Sequence, residues 1–289
     1  MNMIDTKDKV GLVLPGGGIL ALESSCGMLQ AMLDAGMKFD FIYACSGGAL
    51  VGALLCSGTN FLELFKKLNM DRVLVRNKGF WNYLLGKPIY QIEGVDQMVN
   101  SVMGDRIYKN MVVNMTDVHT RETYYAYASR STVIASMSIP KVFPIKKLTG
   151  TVFKDTTPYS YNGPMQSVKE QYFLNETEVY DGGIYNLYPF PPIEDIMKCK
   201  KLYCLCCPHT ISPEEMDDGG TLHQAIYWIY DTLERGFRQC LAAYGGLDNV
   251  RIYRPEPQQN GSLLGFSKDF EIYHKSYEFM KKIIDGGKI

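Results

Sequence analysis

The sequence lacks long apolar runs, a charge excess of either sign and any block of Lys and Arg. No apolar run reaches the roughly 18 residues that a membrane-spanning helix needs. The 30 Lys and Arg and 31 Asp and Glu leave a formal net charge of −1, so the molecule as a whole has no electrostatic bias toward nucleic acid or anionic lipid. The first ten residues, MNMIDTKDKV, lack the apolar core of a signal peptide. We expect a cytoplasmic protein that binds no nucleic acid and contacts membranes only peripherally.

The sequence also lacks internal repeats and low-complexity linkers that would mark a domain boundary. Its 289 residues suffice for one large α/β domain or two small ones. The stretch 149–179 is rich in Gly, Pro, Tyr and Thr, and we interpret it as an irregular region rather than as a second domain. We therefore predict one domain over residues 8–285.

Eight cysteines are scattered along the chain, most of them inside apolar runs, as is typical of reduced, buried thiols. One cluster has the spacing C-x4-C-x-C-C-x-H, which differs from the paired C-x2-C units of zinc sites. The apolar run 202–207 predicts a central strand, whose alternate residues face opposite sides of a sheet. We expect no metal at this cluster, which comprises Cys199, Cys204, Cys206, Cys207 and His209.

The first sixty residues alternate between apolar strand patterns and helical patterns, which predicts parallel strands joined by right-handed crossovers. The later chain adds a hairpin around 117–122 and a short helix within 135–144 that proline stops. The other predicted elements are strands 10–14, 39–44, 201–207 and 250–253, and helices 19–35, 49–56, 61–68, 95–103, 221–244 and 273–284.

A serine stands at the corner between the second predicted strand and its helix. Ser46 lies in the sequence ACSGG, with the small residues Ala44 and Gly48 on either side. This pattern is that of G-x-S-x-G with alanine for the first glycine. Such a corner projects the hydroxyl from the sheet, at the positive end of the following helix. The alternative is a tight turn in which Ser46 merely caps the helix.

Gly16, Gly17 and Gly18 follow the first strand. With Ala21 they match the dinucleotide fingerprint G-x-G-x-x-G/A, but that fingerprint needs an acid at the end of the second strand, and Asp40 lies at its beginning. No Walker lysine follows either. A third interpretation is an oxyanion hole, because such glycines direct N–H groups at one point beside a helix N-terminus. In a parallel βαβ unit this turn and the serine corner share one sheet edge, so we expect them to be neighbours.

Asp181 stands before Gly182 and Gly183 at the end of a short strand. An aspartate in that position commonly closes a turn through its side chain. The aromatic stretch 80–85 has two interpretations as well, a small satellite core or an apolar mouth for an acyl chain.

Taken in order, these motifs resemble those of the patatin-like phospholipases. The glycine turn, the serine corner and the Asp-Gly-Gly turn correspond to the family's G-G-G-x-[RK]-G, G-x-S-x-G and D-G-[GA] motifs. The segments NMTDVHTRE and ASMSIPKVFP, and Arg254-Pro255 with Gly265-Phe266-Ser267, are similar to further family segments. The resemblance implies a three-layer α/β/α domain with a central, mostly parallel sheet.

The resemblance also implies a function. Ser46 would be the nucleophile and Asp181 the general base, with no histidine, cofactor or metal, acting on fatty-acyl esters or phospholipids. The implied oxyanion hole comprises Gly16, Gly17, Gly18 and Gly47, and the residues that support the motifs are Ala44, Gly48, Gly182 and Gly183. An exposed aspartate, with a pKa of about 3.9, is a weak base, so Asp181 should be buried to raise its pKa.

Three positions depart from the family pattern. Leu20 stands where the family has a basic residue, Ala21 where it has the last glycine, and Glu23 adds a negative charge nearby. These changes concern phospholipid preference more than hydrolysis. They also motivate an alternative, a degenerate fold that serves as a lipid-binding or interaction module.

A Ser-His-Asp triad is the other catalytic alternative, because the order Ser46, Asp181, His209 fits that of α/β-hydrolases. We interpret His119, His223 and His274 as ordinary surface or capping residues.

Overall fold

One mixed sheet of eight strands organises the fold. It is seen in a computed structural model that describes residues 3–68, 70–77, 87–155, 168–208, 221–256 and 265–289. The strands are β1 (Val10–Leu14), β2 (Phe41–Ala44), β3 (Tyr108–Asp117), β4 (Thr123–Ala128), β5 (Lys146–Asp155), β6 (Val168–Asp181), β7 (Lys201–Leu205) and β8 (Val250–Tyr253). Their order across the sheet is β4-β5-β6-β3-β2-β1-β7-β8.

The five strands β3-β2-β1-β7-β8 are parallel to one another. In register, Leu12 of β1 lies between Ile42 of β2 and Tyr203 of β7. Strands β4, β5 and β6 add antiparallel pairings at one side, including one between β4 and β3. The predicted α/β fold with a largely parallel sheet is confirmed, and so is the predicted hairpin, which is formed by β3 and β4.

Helices cover both faces of the sheet. They are α1 (Gly18–Asp34), α2 (Gly47–Ser57), α3 (Phe61–Lys67), α4 (Met70–Val73), α5 (Glu93–Met103), α6 (Arg130–Ser136), α7 (Ile193–Ile196), α8 (Thr221–Tyr244) and α9 (Glu271–Asp285). Leu29 of α1 and Leu50 of α2 belong to the core on one face, and Cys240 and Tyr244 of α8 belong to the core on the other. This arrangement gives the three layers.

The sequence predicts an irregular region over 149–179, but its described parts, 149–155 and 168–179, are strands. Strands β5 and β6 pair from Lys146 with Val179 to Asp155 with Val168, with register shifts beside Gly150 and Asp155. One face of this ribbon is exposed; the side chain of Phe173, for example, is 63% exposed. Polar and charged residues on that face, together with the glycine, hide the period of two that identifies a strand.

The predicted helix within 135–144 is also misplaced, because α6 begins at Arg130 and ends at Ser136. Ser129 caps it in a capping box: the Thr132 hydroxyl accepts the Ser129 N–H at 2.8 Å, and Thr132 N donates back to the Ser129 hydroxyl at 3.3 Å. This Ser-x-x-Thr start was the signal that the sequence interpretation missed.

Among the described helices, none is both long and apolar enough to cross a bilayer alone, and α2 with α3 meets that test only as a pair bent by 117°. The aromatic stretch 80–85 lies outside the described residues, so both interpretations of it remain predictions.

Candidate active site

Ser46 occupies a strained corner at the carboxyl end of β2. Its backbone angles are φ 50° and ψ −124°, a region that residues with a side chain rarely adopt. Tight packing imposes this corner: a Cβ on Gly48 would lie 2.2 Å from the Leu14 carbonyl oxygen and 2.5 Å from that of Pro15. The second glycine of the motif is therefore required, whereas Ala44 fits within β2 with no exposed surface.

Ser46 and Asp181 meet although 135 residues separate them in sequence. The Ser46 hydroxyl donates to Asp181 Oδ2 at 2.6 Å, and Gly183 N–H donates to Oδ1 at 2.7 Å. A Cβ on Gly182 would lie 2.5 Å from the side chain of Asn114, and one on Gly183 would lie 2.7 Å from Leu187 Cδ1. The two glycines thus allow the turn to pack closely while it holds the carboxylate.

Asp181 is only 3% exposed. Its burial raises the pKa from 3.8 to about 7, against the lowering effect of the hydrogen bonds from Ser46, Gly183 and Cys45. The Cys45 thiol lies 3.9 Å from Oδ1, and no sequence motif had singled it out. A carboxylate with a pKa near neutrality, hydrogen-bonded to a hydroxyl, has the geometry and basicity of a general base.

The glycine turn after β1 lies beside the serine corner, as the βαβ topology predicts. A Cβ on Gly16 would lie 3.0 Å from Ser46 Cβ, and one on Gly47 would lie 2.3 Å from the Gly18 carbonyl oxygen. Gly17 and Gly18 have φ values of 140° and 60°, which favour glycine. Helices α1 and α2 both begin here, so two positive helix ends lie near Ser46.

The Gly16 N–H is already hydrogen-bonded, because it donates to the Leu187 carbonyl at 3.3 Å. This bond removes Gly16 from the predicted oxyanion donors. Within the described part of the chain, the N–H groups of Gly17, Gly18 and Gly47 have no hydrogen-bond partner.

A narrow apolar cavity of about 50 Å³ adjoins Ser46. Apart from Ser46 and glycines its lining is apolar, and it includes Ile19, Leu22, Leu50, Met98, Met137 and Phe143. A larger, more polar cleft between α6 and the β5–β6 ribbon contains neither Ser46 nor Asp181.

The departures at Leu20 and Glu23 have structural roles. Leu20 is fully buried in a cluster with Leu233 and Ile272. The Glu23 carboxylate, also fully buried, accepts the N–H groups of Ser267 at 2.9 Å and Tyr273 at 3.3 Å, and the Ser267 hydroxyl. Glu23 therefore binds the segment that begins α9, a structural role that the sequence did not indicate.

The described histidine side chains lie away from the Ser46–Asp181 pair. His119 is 73% exposed and lies 3.4 Å from Glu178, and His274 is an exposed residue of α9. His209 and the side chain of His223 lie outside what the structure describes. Cys204 and Cys206 face each other with their sulfurs 3.7 Å apart, and within the described residues no three potential ligands converge on a metal position.

The structure is thus an α/β fold with a buried serine–carboxylate pair at a strand–helix corner. The family model for the patatin-like phospholipases matches residues 12–193, well over half of the chain, so the protein belongs to this family of lipid hydrolases. It is 27% identical over 186 residues to neuropathy target esterase sws of Drosophila persimilis and of Drosophila melanogaster. The matched stretch is 64% of this chain but 12% of those proteins.

The solved structure of VipD shows the same fold. VipD from Legionella pneumophila aligns over 97% of this chain and 67% of its own, with a TM-score of 0.50 and 13% identity. Human GIVD cytosolic phospholipase A2 aligns over 69% of this chain and 43% of its own, with a TM-score of 0.38 and 9% identity.

Proposed function

We propose that the protein hydrolyses fatty-acyl esters through an acyl-enzyme on Ser46, with Asp181 as the only general base. The observation that carries this proposal is the 2.6 Å hydrogen bond from the Ser46 hydroxyl to Asp181, a buried carboxylate with a pKa of about 7. At neutral pH about half of such carboxylates are ionised and can accept the proton that makes serine nucleophilic.

The reaction has two halves. Ser46 Oγ bonds to the ester carbonyl carbon as its proton passes to Asp181 Oδ2, and the tetrahedral intermediate collapses by breaking the ester C–O bond. Asp181 returns the proton to the leaving alcohol. Water then attacks the acyl-enzyme, gives a proton to Asp181, and the fatty acid leaves as Ser46 Oγ takes that proton back.

The charge on the attacked oxygen needs donors that are not already in use. We assign this role to the N–H groups of Gly17, Gly18 and Gly47, which lack protein partners within the described residues and lie at the N-termini of α1 and α2. Such preorganised donors stabilise the oxyanion more than the ground-state carbonyl. The apolar cavity beside Ser46 supports the acyl chain as the part of the substrate that enters.

The rim of this cavity supports peripheral contact with a lipid surface. Leu74 lines the cavity, Val75 beside it is 37% exposed, and the Arg76 guanidinium lies 5.9 Å from the Tyr90 ring centroid. Lys141 is exposed and lies between two lining residues in sequence. An exposed apolar residue with cations suits anionic lipid better than neutral lipid, although the whole molecule is nearly uncharged.

The deciding experiment measures hydrolysis of p-nitrophenyl octanoate, with calcium chelated, by wild type, Ser46→Ala and Asp181→Asn. Ser25→Ala is the matched control, because Ser25 is also fully buried but its hydroxyl bonds only Leu205 O at 3.4 Å. We expect both site variants to lose at least 10³-fold in kcat and the control to keep its activity. An inactive wild type that a fluorophosphonate probe fails to label at Ser46 would instead favour a binding module.

Lipid contact is tested by sedimentation with phosphatidylglycerol and phosphatidylcholine vesicles. Arg76→Gln with Lys141→Gln should reduce binding to the anionic vesicles several-fold. Lys200→Gln is the control, because exposed Lys200 lies at the opposite, amino end of β7. Equal binding by all three proteins would contradict the assignment of this rim.

A further inference from the structure

One short segment at the end of α6, residues 136–138, contacts both members of the Ser46–Asp181 pair. The Ser136 hydroxyl accepts the Ser46 N–H at 2.9 Å, and the Ser138 carbonyl accepts the Asp181 N–H at 3.0 Å. We propose that Ser136 is a positioning residue, which fixes the backbone of the nucleophile so that its hydroxyl points at the base. The proposal rests on the proposed function.

The bond matters because the Ser46 backbone is strained. With φ 50° and ψ −124°, this residue would relax if its surroundings allowed it to. Its carbonyl accepts Ala49 N–H at 2.9 Å as α2 begins, and the preceding Cys45 N–H donates to Leu14 O at 3.0 Å. The remaining polar group of the Ser46 backbone is its N–H, and Ser136 is the partner that the structure gives it.

The direction of the hydroxyl follows from the backbone that carries it. The short Ser46–Asp181 hydrogen bond requires the Ser46 Cα–Cβ bond to point toward β6. A rotation of the peptide between Cys45 and Ser46 would turn that bond away and lengthen the contact. Small displacements of a reacting group reduce rates strongly, because proximity and orientation supply much of the acceleration.

Ser136 is itself rigidly placed. It is the last residue of α6 and has no exposed surface. The Ser138 hydroxyl bonds Ile134 O at 2.8 Å just beyond the helix, which fixes the end that carries Ser136. The hydroxyl of Ser136 therefore acts as a fixed acceptor rather than as an adaptable one.

The same segment also forms part of the cavity. Met137 and Ile139 line the apolar space beside Ser46, whereas Ser136 and Ser138 bond the two catalytic backbones. Along this segment, residues that line the cavity alternate with residues that bond Ser46 and Asp181. This alternation gives the sequence ASMSIP a physical role that the motif alone had not supplied.

The test compares Ser136→Ala with Ser129→Ala, using p-nitrophenyl octanoate. Ser129→Ala removes the N-cap of the same helix and loosens α6 without touching the nucleophile. At a temperature where both variants are folded, we expect Ser136→Ala to lower kcat 10- to 100-fold with KM within twofold. Ser129→Ala should keep kcat within threefold at a similar loss of Tm.

Two further measurements separate positioning from general damage. The rate of fluorophosphonate labelling at Ser46 should fall in parallel with kcat. The acid limb of the pH–rate profile should move to higher pH, because the Ser46 hydrogen bond lowers the pKa of Asp181 and is weakened when the serine turns away. If Ser136→Ala does not fold, Ser136→Cys replaces it, since a thiol is a poor acceptor of the Ser46 N–H.

The inference is overturned if Ser136→Ala keeps more than a third of wild-type kcat, or if Ser129→Ala loses as much. If the proposed function is wrong, the result is different, because the wild-type protein itself would neither hydrolyse p-nitrophenyl octanoate nor be labelled by the fluorophosphonate.

Discussion

The pKa of Asp181 gives the sharpest prediction, since one buried carboxyl should govern both activity and stability. The ionised form is the base, so kcat/KM should rise with pH along an acid limb whose midpoint is about 7. Below that midpoint activity should fall about tenfold per pH unit, because only the ionised fraction can accept the Ser46 proton.

Stability should change in the opposite direction. The folded-state pKa is raised above the unfolded value of about 3.9, so between about pH 4 and pH 7 the folded state binds the proton more strongly. This group therefore favours folding at low pH and its contribution is lost as pH rises through 7. A difference of about three pH units corresponds to about 4 kcal/mol at about 1.36 kcal/mol per unit.

Asp181→Asn isolates this contribution. An Asn side chain can accept the Gly183 N–H through its oxygen and donate to Ser46 Oγ through its nitrogen, so both hydrogen bonds of the site have a partner. We expect the variant to be inactive, yet at pH 8 more stable than wild type by up to about 4 kcal/mol, with little difference at pH 4.

The assays are a pH–rate profile from pH 5 to 9 and urea unfolding of both proteins at pH 4 and pH 8. Asp117→Asn is the control for a buried aspartate, because Asp117 is 4% exposed and bonds the N–H groups of His119 and Thr120 instead. A kinetic midpoint below pH 5, or an Asp181→Asn variant no more stable than wild type at pH 8, would refute the reasoning.

Three other predictions follow from packing. Gly48→Ala should destabilise the protein by about 3 kcal/mol or more in thermal unfolding, because the added Cβ would overlap Leu14 O. Gly246→Ala is the control and should be nearly neutral, because a Cβ at Gly246 would meet only open space. Met98→Trp should fill the cavity and shift the kcat/KM ratio of octanoate to acetate p-nitrophenyl esters about tenfold toward acetate. Glu23→Gln should cost about 2–4 kcal/mol in urea unfolding, with kcat/KM within twofold, because it weakens the Ser267 contacts.

Much of the parallel core could be predicted from the sequence alone. Strands β1 and β2 are continuous apolar runs, and glycines mark the turns that follow them. These patterns predicted the opening βαβα unit and, from it, that the glycine turn and the Ser46 corner lie at the same edge of the sheet. The pairing of Ser46 with Asp181 came from the resemblance instead. No local pattern encodes a contact between residues 135 positions apart.

The missed features share one cause, which is that tertiary contacts gave polar residues roles that local patterns do not reveal. The sequence indicates Glu23 only as a negative charge near the glycine turn, whereas in the structure its carboxylate satisfies buried N–H groups at the start of α9. Gly16 read as an oxyanion donor, but its N–H bonds Leu187 O. Ser136 carries no motif signal of its own, although its hydroxyl accepts the N–H of the strained Ser46 backbone.

Burial raises the pKa of Asp181 into the range of a histidine side chain. An aspartate in water would be too weak a base, and here desolvation brings its pKa to about 7, the range in which imidazole titrates. During the proposed reaction the negative charge leaves this poorly solvated carboxylate and develops on the attacked oxygen. There the free glycine N–H groups and the N-termini of α1 and α2 can stabilise it. The energetic cost of burying the carboxylate in the resting protein is therefore relieved in the transition state, which is where catalysis requires the gain.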